Sequence, residues 1–342
     1  MTSRVYLDWN ATAPLRPEAR EAMIAAMDVV GNPSSVHGEG RAAKGVVERA
    51  RRQVAAFVGC KPSAVVFTSG ATEAASVLRH VRGAVEVEET AHDCLWAHAK
   101  LGPNEGAVYA MGLANSETGV VTTPGEVPHD VLLLDVVQAV GRIPFSFHWS
   151  GAQFAILSAH KLGGPRGVGA LIVLDGFDFD ALQRGGGQEL GRRSGTENVA
   201  GIAGFGAACE AAARDLDDGA WARVEKLRNI LDSALAEATT STIFVGKEAV
   251  RLPNTTCFVT PGWKGETQVM QMDLAGFAVS SGSACSSGKV KAPRVLAAMG
   301  LSAEEAEGAL RVSLGPTTTE DEVLRFAEAW LKQEAKFRRK AA

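Results

Sequence analysis

The stretch ILSAHKLGGPRGVGAL, residues 156–171, decides the fold prediction, because it sets a single lysine, Lys161, between an apolar run and a glycine-rich loop. The flanking runs VLLLDVVQAV and GALIVL are typical of buried strands. A lysine between buried strands is costly unless it is paired or used, since desolvation disfavours its charge. The same desolvation makes the amine a nucleophile that forms Schiff bases with carbonyl compounds. A surface lysine that opens a loop is the alternative interpretation.

The wider chain predicts an α/β protein with two domains. Continuous apolar strands such as VLLLD are typical of a sheet buried on both faces, and strands alternate with helical periodicity over most of the chain. After about residue 240 the character changes to short strands mixed with helices. We therefore predict a large domain over residues 13–239 with a mostly parallel central sheet. Residues 1–12 and 240–342 are predicted to form a smaller α+β domain.

The composition excludes several classes of protein. The 342 residues are 46% hydrophobic and 22% charged with a net charge of −4, so no general attraction to nucleic acid or to acidic membranes is expected. No apolar run approaches the roughly 18 to 20 residues of a membrane helix, and the N-terminus lacks a signal-peptide core. The five cysteines show no CxxC spacing. This favours a reducing, cytoplasmic compartment, with no membrane and no direct nucleic-acid partner.

Three polar residues suggest a heteroaromatic cofactor. Asp135 ends an apolar strand, where a carboxylate caps a helix, pairs with a cation, or keeps a ring nitrogen protonated, as pyridoxal phosphate (PLP) requires. Gln138 could donate to the phenolic oxygen of that ring, and His92 could lie over it, although a satisfied loop histidine is the alternative. The spacing of His92, Cys94 and His98 matches no standard zinc pattern, so we expect no metal.

Two segments of the sequence predict a phosphate-binding site. The run AVVFTSGATEAA predicts a strand, a turn of small residues and a helix that begins near Ala71 and Thr72. The start of a helix favours an anion, because unpaired N–H groups and the helix dipole both attract negative charge. Ser158 and His160, just before Lys161, would add donors. A phosphate anchor beside a Schiff-base lysine suits a phosphorylated aldehyde cofactor.

Two further residues point to the substrate. Cys285 lies in SSGSACSSGK, where small polar neighbours and basic residues would leave an exposed, activatable thiol; an exposed bystander is equally compatible with this window. Arg311 lies inside the apolar run GALRVSLGP. A buried arginine suits a carboxylate clamp, because its planar fork matches carboxylate geometry. An internal ion pair is the competing account.

These residues fall within segments that resemble the cysteine desulfurases, the class V aminotransferase branch of fold-type I PLP-dependent enzymes. The resemblance runs along essentially the whole chain. It is carried, in order, by YLDWNATAP, GNPSSVHGEGR, FTSGATEA, LANSETGV, LLDVVQAVG, LSAHKLGGPRGVGAL, GGGQELGRRSGTENVAGI, SSGSACSSGK and LRVSLGPTTTEDEV.

The resemblance implies an enzyme that converts L-cysteine to L-alanine and keeps the sulfur as a persulfide on Cys285. The sulfur would pass to an acceptor protein, an iron–sulfur scaffold or a tRNA-thiolation enzyme. Lys161 would hold PLP and move protons, and Arg311 would grip the substrate carboxylate. Thr196 would reach the phosphate of a neighbouring subunit, which implies a homodimer. The implied cofactor contacts are Lys161, Asp135, Gln138, His92, Thr72, Ala71, Ser158, His160 and Thr196.

Two departures from the family pattern leave alternatives open. Ser116 stands where the family usually has a second asparagine, so the substrate contact falls to Asn115 or is lost. The region 84–111 is shorter than usual for the family. A selenocysteine lyase or another class V aminotransferase-type enzyme could share most of these residues. A degenerate scaffold that mainly binds partners is the non-enzymatic alternative.

Overall fold

The computed structural model of the protein describes residues 4–103, 106–125, 129, 131–239, 241–282 and 294–341. The chain divides into two compact units. The larger unit consists of Thr12–Leu113 and Thr123–Asp217. The smaller unit consists of Met1–Ala11, Ala114–Thr122 and Asp218–Ala342.

Both units contain strands. Among the described residues and in chain order, these are β1 (Val5–Tyr6), β2 (Val65–Thr68), β3 (Val85–Val87), β4 (Val108–Gly112), β5 (Val131–Asp135), β6 (Phe154–Ser158), β7 (Gly169–Val173), β8 (Ile243–Phe244), β9 (Thr255–Val259), β10 (Phe277–Ala278), β11 (Ser280–Ser281) and β12 (Ala309–Ser313).

The α-helices of the same described residues follow in the same order. They are α1 (Pro17–Met27), α2 (Gly38–Val58), α3 (Ala71–Ala75), α4 (Asp93–Trp96), α5 (Val199–Asp217), α6 (Ala220–Ala238), α7 (Gly265–Leu274), α8 (Arg294–Ala298), α9 (Ala303–Glu307) and α10 (Glu320–Ala341). None of these helices is long and apolar enough to cross a membrane.

The larger unit is built on a six-stranded sheet in the order β2-β7-β6-β5-β4-β3. Strands β3 to β6 are parallel, whereas β7 is antiparallel to both of its neighbours. Every residue of β6 and β7 is buried, as their continuous apolar sequences predict. The predicted α/β class with a mostly parallel central sheet is therefore confirmed.

Helices α1, α2 and α5 pack together in the larger unit. Helix α2 buries apolar residues at helical spacing, among them Val47, Val54 and Val58, and these belong to one core cluster with residues of the sheet. Gly59 ends α2 in the left-handed region at a φ of 69°. A side chain is disfavoured in that conformation, which explains why a glycine closes the helix.

The smaller unit contains an antiparallel sheet in the order β11-β12-β9-β8 and the parallel pair β1-β10. Helix α10 brings Trp330 against Phe258 and Trp263 in its core. Helix α6 packs on α10, so it belongs to this unit although the sequence suggested a boundary near residue 240. Periodicity alone does not tell which core an amphipathic helix covers.

Candidate active site

Lys161 lies where the sequence places it, directly after a buried strand. It closes the short 3-10 turn Ala159–Lys161 that follows β6, and it is half-buried. The turn is held by Gly164 N–H, which donates to the carbonyl of Ala159 at 2.9 Å. Gly163 has a φ of 81°, and a Cβ there would lie 2.9 Å from the carbonyl oxygen of Pro14. The glycines after Lys161 therefore permit a close chain approach that a side chain would prevent.

Asp135 ends β5, the strand next to β6, and pairs in register with Ile156. Its Oδ1 accepts a hydrogen bond from Val137 N–H at 2.9 Å, and its Oδ2 lies 3.9 Å from Cys94 Sγ. Burial raises the pKa of the Asp135 carboxyl above its ordinary value, while the charges of His92 and Lys161 act in the opposite direction. Asp135 thus lies near the two other predicted residues, because Cys94 belongs to the helix that His92 caps and β6 leads into the turn of Lys161.

His92 caps the short helix α4. Its Nδ1 accepts from Cys94 N–H at 3.1 Å, so in the neutral ring the hydrogen is carried by Nε2. Cys94 is buried, and burial raises the pKa of its thiol. Sequence reasoning considered Cys94 only as a metal ligand and missed its contact with the Asp135 carboxylate. The described residues hold no group of three or more histidine, cysteine, aspartate or glutamate side chains able to bind a metal ion.

Gln138 is buried in the turn that follows β5. Its side-chain oxygen accepts from Arg142 Nη1, and the same nitrogen donates to the Gln138 carbonyl at 3.2 Å. This contact orients the amide so that its NH₂ group points away from Arg142. Sequence reasoning missed Arg142, because a spacing of four residues indicates a contact only in a helix and this segment was predicted as a strand.

The predicted phosphate residues occupy neighbouring loops. Ser158 ends β6, and Gly70 directly precedes α3. The Oγ of Ser158 lies 3.9 Å from the position that a Cβ on Gly70 would take. A Cβ on Gly169 would come within 2.6 Å of Gly70 Cα, so the two loops touch through their backbones. Ala71 is half-buried and Thr72 exposed at the start of α3. Ser158 and the start of α3 therefore lie close together, and their role as phosphate ligands stays a prediction.

His160 is half-buried, and its Nδ1 lies 3.2 Å from Thr12 Oγ1. Burial, with smaller contributions from the charges of Lys161 and Arg166, lowers the pKa of His160 from 6.5 to about 4. The imidazole is consequently neutral near pH 7. A neutral ring still carries one N–H donor for an anion.

Thr196 is exposed in the loop that precedes α5. An ion pair ties this loop to α3, because Arg193 Nε lies 2.8 Å from Glu73 Oε1. Glu73 also accepts from Ser69 N–H at 2.6 Å, in the turn before α3. The loop of Thr196 and the start of α3 are therefore fixed to each other within one unit.

Arg311 belongs to the smaller unit, where it is buried in β12 with 3% of its side chain exposed. Its Nη2 donates to Asp8 Oδ1 at 2.8 Å, and its Nη1 donates to the carbonyl of Ser116 at 3.0 Å. The internal ion pair considered from the sequence is thus present. Sequence reasoning missed Asp8, although it lies in the segment YLDWNATAP that carries part of the resemblance.

Asn115 and Ser116 form the loop beside Arg311. The side-chain oxygen of Asn115 accepts from the backbone N–H groups of Glu117 and Thr118, both at 2.9 Å, and so shapes the turn. Ser116 contributes its carbonyl, which accepts from Arg311 and from Asn10 Nδ2 at 3.1 Å. A backbone acceptor does not depend on the side chain, so replacing asparagine by serine at position 116 leaves this contact possible. The substrate role of Asn115 stays a prediction.

Cys285 lies outside the described residues. Strand β11 precedes it in the chain, and α8 follows it.

The fold and the cluster around Lys161 define an α/β protein of the aminotransferase type, and comparison with known families agrees. The family model described as Aminotransferase class-V matches residues 5–92 and 93–326. The chain belongs to this family.

Relatives of the chain carry a more specific name. A cysteine desulfurase of Cereibacter sphaeroides is 38% identical over 371 residues, which cover 95% of this chain and 94% of the relative. An IscS-like cysteine desulfurase of Mycobacterium tuberculosis is 34% identical and covers 93% of both chains. Among solved structures, a NifS-like protein from Rickettsia africae matches with a TM-score of 0.86 and 30% identity, over 96% of this chain and 99% of its own.

Proposed function

We propose that this chain is a PLP-dependent cysteine desulfurase. It converts L-cysteine to L-alanine and retains the sulfur as a persulfide on Cys285. The observation that carries the proposal is the placement of Asp135 at the end of β5 and of Lys161 in the turn after the neighbouring strand β6. Cys94, in the helix that His92 caps, lies 3.9 Å from the Asp135 carboxylate. The names of the relatives support the same reaction, and they do not favour selenocysteine lysis or partner binding without catalysis.

The residues of the larger unit fit PLP. Burial raises the pKa of the Asp135 carboxyl, and a cationic ring nitrogen beside it would stabilise the ionised carboxylate. Lys161 would hold the aldehyde group, and Gln138 would face the phenolic oxygen with the amide that Arg142 orients. His92 would stack on the ring. When bound, the cofactor supplies an electron sink that weakens bonds at the substrate carbons.

The phosphate of PLP would be bound by neutral donors of the same unit. Ser158 and the start of α3, with Ala71 and Thr72, supply a hydroxyl and backbone N–H groups. His160 is neutral near pH 7 and would donate without adding charge. Thr196 would serve the phosphate of a second subunit, which is consistent with its exposure and makes the enzyme a homodimer.

Arg311 would bind the α-carboxylate of L-cysteine, since it presents a guanidinium of fixed orientation. Lys161 would move a proton at the α-carbon. The thiolate of Cys285 would then attack the substrate sulfur: an S–S bond forms, the C–S bond breaks, and the β-carbon leaves with the electron pair and takes a proton to give L-alanine. The two cysteine sulfurs are oxidised to the persulfide level while that carbon is reduced.

The persulfide sulfur would pass to an acceptor protein, an iron–sulfur scaffold or a tRNA-thiolation enzyme. The IscS-like name of one relative supports an acceptor of this kind. The cysteine content, with Cys60, Cys94, Cys209 and Cys257 as free thiols, supports a reducing, cytoplasmic compartment.

A single-turnover assay tests the proposal. Purified protein is loaded with PLP and mixed with one equivalent of L-cysteine and no external thiol. We expect one L-alanine per active subunit and an added sulfur on the peptide that contains Cys285, detected by mass spectrometry. Release of alanine with sulfur on another cysteine would refute the role of Cys285. Absence of alanine from fully loaded protein would refute the function itself.

A further inference from the structure

We propose that Asp8 is a positioning residue, which holds the Arg311 guanidinium in the orientation that receives the α-carboxylate of the substrate. The inference rests on the proposed function, because it gives Arg311 that ligand. It adds a residue whose contacts lie entirely within the smaller unit.

Two acceptors hold the Arg311 guanidinium. Asp8 Oδ1 accepts from Nη2 at 2.8 Å, and the carbonyl of Ser116 accepts from Nη1 at 3.0 Å. Nε is buried and has no hydrogen-bond partner among the described residues. The orientation of the guanidinium therefore depends on two acceptors, and only Asp8 carries a charge. A charge-assisted hydrogen bond is stronger and more directional than a neutral one.

Asp8 is itself fixed by its neighbours. Its neighbour Leu7 is fully buried, and Leu7 N–H donates to the carbonyl of Ala278 at 2.9 Å. Ser313 N–H donates to the Leu7 carbonyl at 2.9 Å, from the same strand that carries Arg311. The carboxylate receives a further hydrogen bond from Ser280 Oγ at 2.9 Å. Backbone and side chain of Asp8 are thus both held, so it can set the position of Arg311.

The charge of Asp8 has two opposite effects on the binding of the substrate carboxylate. Removing the charge of Asp8 would end its repulsion of the substrate carboxylate, but it would also leave a guanidinium that is 3% exposed without its counter-ion. A buried charge without a partner moves toward other acceptors or solvent. We expect the loss of orientation to dominate, so that the substrate binds more weakly.

The chain offers a matched control in the same unit. Asp232 forms an ion pair with Arg251 at 2.7 Å and accepts a hydrogen bond from Thr256 Oγ1 at 2.6 Å. Asp8 has the same two kinds of partner, an arginine (Arg311) and a hydroxyl (Ser280). The exposed fractions of the two side chains, 7% for Arg251 and 12% for Asp232, are similarly low. This second pair has no role in binding the substrate under the proposed function.

The experiment compares Asp8→Asn and Asp232→Asn in the PLP-loaded enzyme. We measure kcat and KM for L-cysteine, the visible absorption of the cofactor, and inhibition by cysteamine, which carries the amine and the thiol but no carboxylate. For Asp8→Asn we expect KM to rise about tenfold, with kcat changed less than about threefold and cysteamine inhibition unchanged. For Asp232→Asn we expect no selective change.

The outcomes separate positioning from other roles. An unchanged KM, a lower KM, or an equal loss for L-cysteine and cysteamine in Asp8→Asn would overturn the proposal. If that variant does not fold, Ser280→Ala keeps the ion pair and removes one anchor, and it should raise the KM for L-cysteine selectively by about two- to threefold. A wild-type enzyme without desulfurase activity would instead refute the proposed function.

Discussion

The larger unit contains Asp135 and the smaller unit contains Asp8, and the two carboxylates are stabilised differently. Asp135 lies at the end of a parallel strand, and burial raises the pKa of its carboxyl. Asp8 is in direct contact with the Arg311 guanidinium. The charge of Asp135 is therefore costly until a cation such as a protonated ring joins it, whereas Asp8 already has its counter-ion. This difference is typical of a ligand site in one case and a positioning contact in the other.

The strongest test of the larger unit is Lys161→Ala. Alanine formation should fall at least about a thousandfold, since both the attachment of the cofactor and the proton transfer would be lost. The visible absorption of the loaded protein should also shift toward that of free PLP. Lys61→Ala, on the exposed surface of the same unit, is the control and should behave as wild type. An unchanged spectrum in Lys161→Ala would disprove the placement of the cofactor.

On the side of the smaller unit, Cys285→Ser should abolish persulfide formation and lower alanine formation about a thousandfold, while cofactor absorption stays normal. The control is Cys60→Ser. Burial raises the pKa of the Cys60 thiol to about 12, so this thiol is protonated near pH 7 and a poor nucleophile. Mass spectrometry of the protein after one turnover checks both variants. Persulfide lost equally in the two would contradict the assignment.

The stability of the PLP-free protein tests the comparison of the two aspartates directly. Asp8→Asn should lower the free energy of unfolding by about 3 kcal/mol, because it removes the charged partner of a buried guanidinium. Asp135→Asn should leave the free energy of unfolding near pH 7 unchanged or raise it. The folded pKa of Asp135 lies above its unfolded value, so the folded protein loses stability as the pH rises through that interval, and asparagine avoids the loss. Urea unfolding of both variants provides the measurement, and destabilisation by Asp135→Asn at pH 7 would contradict it.

The smallest expected effect concerns His160. Its folded pKa of about 4 lies below the ordinary 6.5, so its contribution to stability is complete above about pH 6.5 and is lost as the pH falls toward 4. The unfolding temperature of PLP-free His160→Gln should therefore fall less between about pH 7.5 and about pH 5 than that of wild type. His148→Gln, at an exposed histidine, is the control. Equal falls in all three proteins would show that His160 does not titrate as described.

Much of the fold and part of the site could be predicted from the sequence. Asp135 was recognisable because it follows an uninterrupted apolar run, and Lys161 because it stands between a largely apolar run and a glycine-rich loop. The ends of parallel strands β5 and β6 meet at one edge of the sheet. Helix α6 packs on α10, which comes about 80 residues later in the chain, so the local sequence pattern does not tell which core α6 covers.

The contacts of Asp8 could not be predicted for the same reason. Asp8 and Arg311 are 303 positions apart, and a single carboxylate in YLDWNATAP gives no local sign of its partner. The contact of Arg311 with the Ser116 carbonyl could not be predicted either, because a backbone acceptor does not depend on the type of residue. The apparent loss of an asparagine side chain at position 116 therefore said little about the contact that its backbone makes.

By itself, the sequence determined the α/β class, the strand ends that carry Lys161 and Asp135, and the family to which the chain belongs. Local apolar runs and short motifs record these features, because each depends on residues that are close in the chain. Only the tertiary structure decided which charges meet: Asp8 with Arg311, Arg142 with Gln138, and Cys94 with Asp135. Ion pairs and buried polar contacts depend on distances of a few ångströms between side chains, and strand pairing and packing set those distances.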